Sequence, residues 1–262
     1  MLESDFFVDE KVFVSFFVGD LKTFLVKFQG RLRYLKHSDY EDHNFLIMTY
    51  KEYFPFIEDF INWQIDLPEW FIDAKFKPLN YEAVSGDSLY TDPNVYMKLM
   101  AYFRKFYNGD KAVEFWCPRG DINLMEVNTN EFINYKIDEI KTEKPLFTIY
   151  VSNEIKEKVW RELIEYYSKD HNVVVFNNSD YVIENSITSL SDATIYTKNS
   201  VQTITVDNNF AVLPVVLNSK TFFIGTDGSS IITRCRLMKC PGKYKQIPDF
   251  KLVTAKEIID DV

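Results

Sequence analysis

The sequence predicts an α/β protein made of two consecutive Rossmann-like halves, each a doubly wound parallel sheet. Three observations predict it. A continuous apolar run, KVFVSFFV at residues 11–18, ends at Gly19-Asp20 and gives way to an amphipathic pattern. The same rhythm restarts at 146–151 with LFTIYV. Residues 201–230, VQTITVDNNFAVLPVVLNSKTFFIGTDGSS, read as strand, polar turn, helix, strand and polar turn. Apolar runs without alternation suit strands buried on both faces, and helices interleaved with them make βαβ units. At 262 residues the chain holds one large domain or two that can each bury a core.

In 21–35, Leu21, Phe24, Leu25, Phe28, Leu32 and Leu35 recur at three- and four-residue spacing with Lys22, Lys27, Arg31 and Arg33 between them. This predicts a helix beginning at the Gly-Asp turn. FLIMT at 45–49 is the next strand, and 51–63 carries a second helical pattern interrupted by Pro55. Residues 65–68 are a third strand or an extended exit. Asp92-Pro93 suits the N-cap and first position of a helix through Tyr107, with Tyr96, Leu99, Met100 and Phe103 on one face. The signals mix over 112–140, and apolar density falls between 121 and 144, so the expected domains are 1–140 and 141–262.

In the second half, 146–151 is a strand, Ser152 a fair N-cap, and 155–167 a helix with Val159, Trp160, Leu163, Ile164 and Tyr167 on its apolar side. A strand at 173–176 and a short helix at 189–196 lead into the closing βαβ unit, whose strands centre on 204–206 and 221–224. Ligands collect beyond the carboxyl ends of parallel strands, where helix N-termini offer free N–H groups to anions. The expectation is a phosphate-bearing ligand at such turns.

Composition narrows the function. Hydrophobic content of 46% with 26% charged residues excludes a disordered chain. A net charge of -9 repels a phosphate backbone, which disfavours nucleic-acid partners. The 23 Phe and 16 Tyr follow as readily from an AT-rich coding sequence as from a need for rings. Acids in MLESDFFVDEK replace the basic start of a secretory signal, and no apolar run approaches the ~18 residues of a membrane span. A soluble, cytoplasmic protein without a membrane span is expected. Cys117, Cys235 and Cys240, with His37, His43 and His171, lack the spacing of zinc or disulfide frameworks, so no metal site is expected.

From Ser189 onward, SLSDATIYTKNSVQTITVDNNFAVLPVVLNSKTFFIGTDG resembles the C-terminal domain of GT-B glycosyltransferases of the heptosyltransferase type. Phe16-Phe17-Val18-Gly19-Asp20-Leu21 resembles the strand, Gly-Asp and helix with which these enzymes open, and residues 146–160 the start of their second domain. The resemblance implies two Rossmann-like domains with a cleft between them, GT-B-like. It also implies an inverting, metal-independent transfer of sugar from a nucleotide-sugar co-substrate, with no cofactor, to a glycan or other hydroxyl acceptor.

It implies that Asp20 is the general base; Asp20 reads equally as a helix N-cap. Lys156 and Lys158, at the start of the second domain's first helix, could reach a diphosphate or form a solvated face. Asp207, Asn208 and Asn209 occupy the donor turn, whose residues also favour an ordinary turn. Gly225, Thr226 and Asp227 open a secondary phosphate-binding candidate that lacks the Lys of a P-loop. Tyr50, Glu52, Tyr53 and Arg104 could line the acceptor side. Where the family has Gly and, three residues on, His, this chain has Asn209 and Val212. The chain is also shorter than usual for the family, which implies trimmed acceptor loops. Those departures keep open a catalytically inactive binding or assembly module, and the AT-rich composition a viral enzyme glycosylating modified DNA bases.

Overall fold

The computed structural model describes residues 11–19, 21, 24–71, 93–114, 137, 139–226 and 241–262. Asp20, Asp92, Asp227, Trp116 and the three cysteines lie outside them. The chain divides into two compact units, Met1–Asn134 and Tyr135–Val262. Among the described residues no helix is long and apolar enough to cross a membrane.

The first unit holds β1 (Val12–Phe16), β2 (Asn44–Thr49), β3 (Trp63–Asp66) and β4 (Ala112–Glu114) in the order β3-β2-β1-β4, all parallel. Every residue of β1 is buried, as the run of apolar side chains requires for a strand covered on both faces. The helix expected from 21 opens as a π-helical turn, Phe24–Phe28, and continues as α1 (Gln29–His37). The widening has a visible cause: the side-chain amide of Gln29 donates to the Leu25 carbonyl at 2.8 Å, taking a position of the helical ladder.

Gln29 in turn accepts from Arg33 Nε at 2.8 Å. Arg33, 1% exposed, forks onto both carboxylate oxygens of Asp59 at 2.6 and 2.7 Å, donates to the Phe56 carbonyl at 2.8 Å, and lies 4.4 Å from the Phe60 ring centroid. This buried guanidinium ties α1 to the segment that follows β2. That segment is a 3-10 helix, Lys51–Phe56, with Pro55 inside it, and not the helix through 63 that the periodicity predicts. Proline has no N–H for the ladder, and the chain turns and enters β3 at Trp63. The helix predicted from Pro93 is α2 (Pro93–Phe103), tightened to 3-10 at Arg104–Phe106.

The second unit holds β5 (Leu146–Ser152), β6 (Asn172–Asn178), β7 (Gln202–Val206), β8 (Thr221–Gly225) and β9 (Gly242–Gln246) in the order β6-β5-β7-β8-β9, all parallel. Its helices are α3 (Glu157–Tyr167), α4 (Leu190–Asn199), α5 (Val212–Val216) and α6 (Ala255–Ile259). One sheet face, with Phe147, Ile149, Val151, Ile204, Val206 and Phe222, packs with Trp160 and Leu163 of α3 and Ile258 of α6. The opposite face is rich in hydroxyls. Tyr150 Oη meets Thr197 Oγ1 of α4 at 2.7 Å, and Thr148 Oγ1 meets Ser200 Oγ at 2.5 Å.

Ser152 does not cap α3. It ends β5, its carbonyl accepts from Trp160 Nε1 at 3.0 Å, and the helix starts after Lys156 without a side-chain cap. Ser189 does cap α4, accepting from the Asp192 N–H. Three elements were not anticipated: β4, β9 and α6. The last carries a legible signal, the Thr254/Glu257 capping box. Lys243 and Lys245 of β9 reach the Asp261 and Glu257 carbonyls, closing the C-terminal hairpin of strand and helix.

Two outcomes follow from this packing. Asp59→Ala leaves the Arg33 charge buried without its carboxylate and is expected to destabilise the first unit by about 3–5 kcal/mol in urea denaturation. Tyr167, 8% exposed and stacked on Phe147 at 4.1 Å, has its phenol pushed up to about 12 by burial and then by Tyr166. The folded state therefore keeps a proton that the unfolded state loses from pH 10. That contribution to stability is complete below pH 10 and lost as pH rises through about 12, and Tyr167→Phe removes this share of the alkaline decline.

Candidate functional site

In a doubly wound sheet the ligand crevice opens where the strand order reverses, because the loops on either side there leave toward opposite faces. In the second unit this point lies between β5 and β7, and in the first between β1 and β4.

At the β5–β7 point, β7 is followed by Asp207 and Asn208, a segment held to β8 by Asp207 N–H donating to Ile224 O at 2.8 Å. Asn208 is used twice. Its Oδ1 accepts from the Phe210 N–H at 3.0 Å, capping the 3-10 turn Asn209–Ala211, and its Nδ2 donates to Glu154 Oε1 at 3.4 Å. Glu154, two residues before Lys156, is thereby brought from the loop after β5 against the turn after β7. The residue beside it, Asn153, exchanges hydrogen bonds with Asp180 after β6, Nδ2 to Oδ2 and Asp180 N–H to Oδ1, both at 3.1 Å. Tyr181 Oη donates to Ile155 O at 3.1 Å. Three consecutive loops are thus braced into one polar edge. Sequence spacing carries no trace of it, since its partners lie 27 and 54 residues apart.

Lys156 stands at the uncapped start of α3, exposed. Lys158 is exposed and 3.7 Å from Glu162 on the same helix, an i,i+4 pair, while Arg161 pairs with Glu157 at 2.6 Å. Val212 is fully buried, so its position offers the crevice no side chain. Gly225 ends β8 one strand farther out and Thr226 is exposed. A Cβ on Gly225 would sit 2.0 Å from Tyr244 Oη; the glycine admits the Tyr244 ring of β9.

At the β1–β4 point, β1 is followed by Phe17, Val18 and Gly19. The Gly19 carbonyl accepts from Tyr53 Oη at 3.1 Å. Glu114, last in β4, accepts from Tyr107 Oη at 2.8 Å and from Arg104 at 3.1 Å. Burial first, then the Glu114 carboxylate, hold the Tyr107 phenol far above its ordinary range. Tyr50, at the exit of β2, is likewise raised, by burial and then by Glu52. Of the acceptor-side candidates, Tyr53 is therefore tied to the Gly19 turn and Arg104 to β4. Among the described residues no group of three or more His, Cys, Asp or Glu could hold a metal ion.

Two consecutive α/β units, each with an all-parallel sheet, give the chain a fold like that of solved GT-B glycosyltransferases. The solved structures that resemble it include the glycosyltransferase family 9 protein of Veillonella parvula, at a TM-score of 0.59 and 10% identity over 97% of this chain and 96% of that one. E. coli heptosyltransferase WaaC with ADP aligns at 0.53 and 8% identity over 95% and 98%. E. coli ADP-heptose LPS heptosyltransferase II aligns at 0.51 and 12% over 95% and 96%. Against the dodecameric iron-containing glycosyltransferase TibC from enterotoxigenic E. coli, the chain spans 59% of that chain's length. No protein-family model and no curated protein matches the sequence.

The braced edge can be tested by stability. Asn208→Ala removes a cap and is expected to cost about 1 kcal/mol. Gly225→Ala presses on Tyr244 and is expected to cost about 1–3 kcal/mol, both read as shifts of the denaturation midpoint.

Proposed function

We propose that the protein is a glycosyltransferase that takes a nucleotide-sugar at the carboxyl edge of the β5–β7 sheet and transfers the sugar to a hydroxyl acceptor, with inversion and without a metal. One observation carries this reading: the two turns that resemble the family's functional motifs, Gly19 before Asp20 and Asp207-Asn208, each follow a strand at the point of reversal of its own sheet. The fold likeness and the ADP in the WaaC structure support it.

In the proposed reaction Asp20 takes the proton of the acceptor hydroxyl, whose oxygen attacks the anomeric carbon as the bond to the β-phosphate oxygen breaks. The nucleoside diphosphate leaves with that electron pair. Lys156, Lys158 and the uncapped start of α3 would offset its charge. The Asp207-Asn208-Asn209 turn would hold the donor, with Gly225, Thr226 and Asp227 as a second contact. The Glu154 carboxylate beside Asn208 suits sugar hydroxyls, which donate hydrogen bonds to it, better than it suits phosphate.

A second reading, a binding module without turnover, is favoured by the wholly buried α5, which offers no polar side chain where the family has His. Thermal-shift screening against a panel of nucleotide-sugars separates the two. Selective stabilisation by one donor is expected, growing with its concentration; stabilisation by none would favour the module. With that donor, Asp20→Asn is expected to lower turnover by about 10²–10⁴-fold while leaving the thermal shift in place. Unimpaired turnover would remove Asp20 from the chemistry. Turnover that collapses in EDTA would overturn the metal-independent route.

A further inference from the structure

We propose that the shared exit of β2 and β3 is the acceptor subsite and that the acceptor it takes is an uncharged glycan; this deepens the glycosyltransferase reading above and rests on it. β2 ends at Thr49, the register partner of Asp66, which ends β3, and Tyr50 follows at once. A buried polar group without a hydrogen bond has lost its water and gained no partner, so folds rarely leave one. Here two consecutive residues do. Thr49 is 0% exposed with its Oγ1 unpartnered. Tyr50 is 2% exposed, and among the described residues no hydrogen bond reaches its hydroxyl. Its ring is held in place edge-on against Tyr53, at 5.3 Å between centroids.

Carboxylates stand beside these hydroxyls. Asp66 reaches solvent and accepts from the Lys51 N–H at 3.2 Å, and among the described residues it forms no ion pair. Partial burial raises its carboxyl, opposed by the Lys51 and Leu67 N–H groups and the Lys51 charge. On α2, the half-buried Tyr102 feels the same carboxylate: burial first, and then Asp66, raise its phenol. Glu52 acts on Tyr50 in the same way, after burial. Carboxylates only accept hydrogen bonds, whereas phenols both donate and accept. Neighbouring hydroxyls of a sugar can donate to Asp66 and Glu52 while accepting from Tyr50, and aromatic rings suit its CH faces. A uronate or a phosphate brings acceptors and a like charge, which these carboxylates repel.

The test is Tyr50→Phe, which keeps the ring. This hydroxyl has no bond to lose in the free protein, so the melting temperature is expected to stay level or rise. A lower one assigns the hydroxyl to the fold and overturns its role. Turnover is measured with the donor found by the screen and with neutral, uronate-bearing and phosphorylated oligosaccharides as acceptors. The wild type is expected to use the neutral ones, and Tyr50→Phe to raise their KM about tenfold, the share of one hydrogen bond. The donor KM should stay within about twofold, because binding in the second unit is untouched. Asp66→Asn is expected to narrow the discrimination against uronates by about tenfold. Preference for acidic acceptors, or an acceptor KM unmoved in both variants, overturns the subsite. A wild-type chain that turns over no donor overturns the enzymatic reading instead, and a glycan array probed with the full chain then decides the subsite alone. Neutral glycans held by the wild type and lost in Tyr50→Phe support it; none held rejects it.

Discussion

Parallel pairing is the constraint on which everything else rests. A parallel strand cannot return through a tight turn; the chain must cross over a face of the sheet each time, and helices on both faces then bury the strands on both sides. That accounts for β1, β5, β7 and β8 being buried along their whole length. It also gathers every strand exit at one edge, so the polar residues displaced from the strands meet there. The edge formed by Asn153, Glu154, Asp180 and Asn208 follows from topology before any demand of chemistry.

The two units solve their second problem, fixing the covering helices, by different means. The first uses one buried cation with several directed bonds, and its specificity lies in the fork of Arg33, which a lysine could not reproduce. The second covers one face with apolar contacts around Trp160 and the other with hydroxyl pairs between β5 and α4. Hydroxyl pairs contribute little net energy each, but they tolerate only one placement of the helix. An apolar interface alone would permit sliding.

The strands and most crossovers were legible because burial on both faces writes itself as continuous apolar runs, as in KVFVSFFV and LFTIYV. What escaped was set by contacts distant in sequence. The shortening of the helix after Tyr50 could be anticipated from Pro55, but the π-turn before α1 depends on Gln29 turning back onto Leu25. The strand β9, GKYKQ, has no apolar run because it closes the sheet as its exposed border. At the site, the turn residues Asp207 and Asn208 announced themselves, whereas Glu154 did not, because nothing local marks a glutamate that will face an asparagine 54 residues away.

The last two strands also interlock through their glycines. Tyr244 lies over Gly225, and Phe223, its register partner, lies over Gly242 at the other end, where a Cβ would meet the Phe223 ring at 2.9 Å. Each ring fills the gap that the opposite strand leaves, so sliding β9 along β8 in either direction would drive ring against side chain. Shape thereby adds to the lysine contacts of β9 in specifying the pairing of a polar strand. It follows that a strand at the border of a parallel sheet can find its register without an apolar run of its own, provided a ring on each strand has a glycine opposite it to cover.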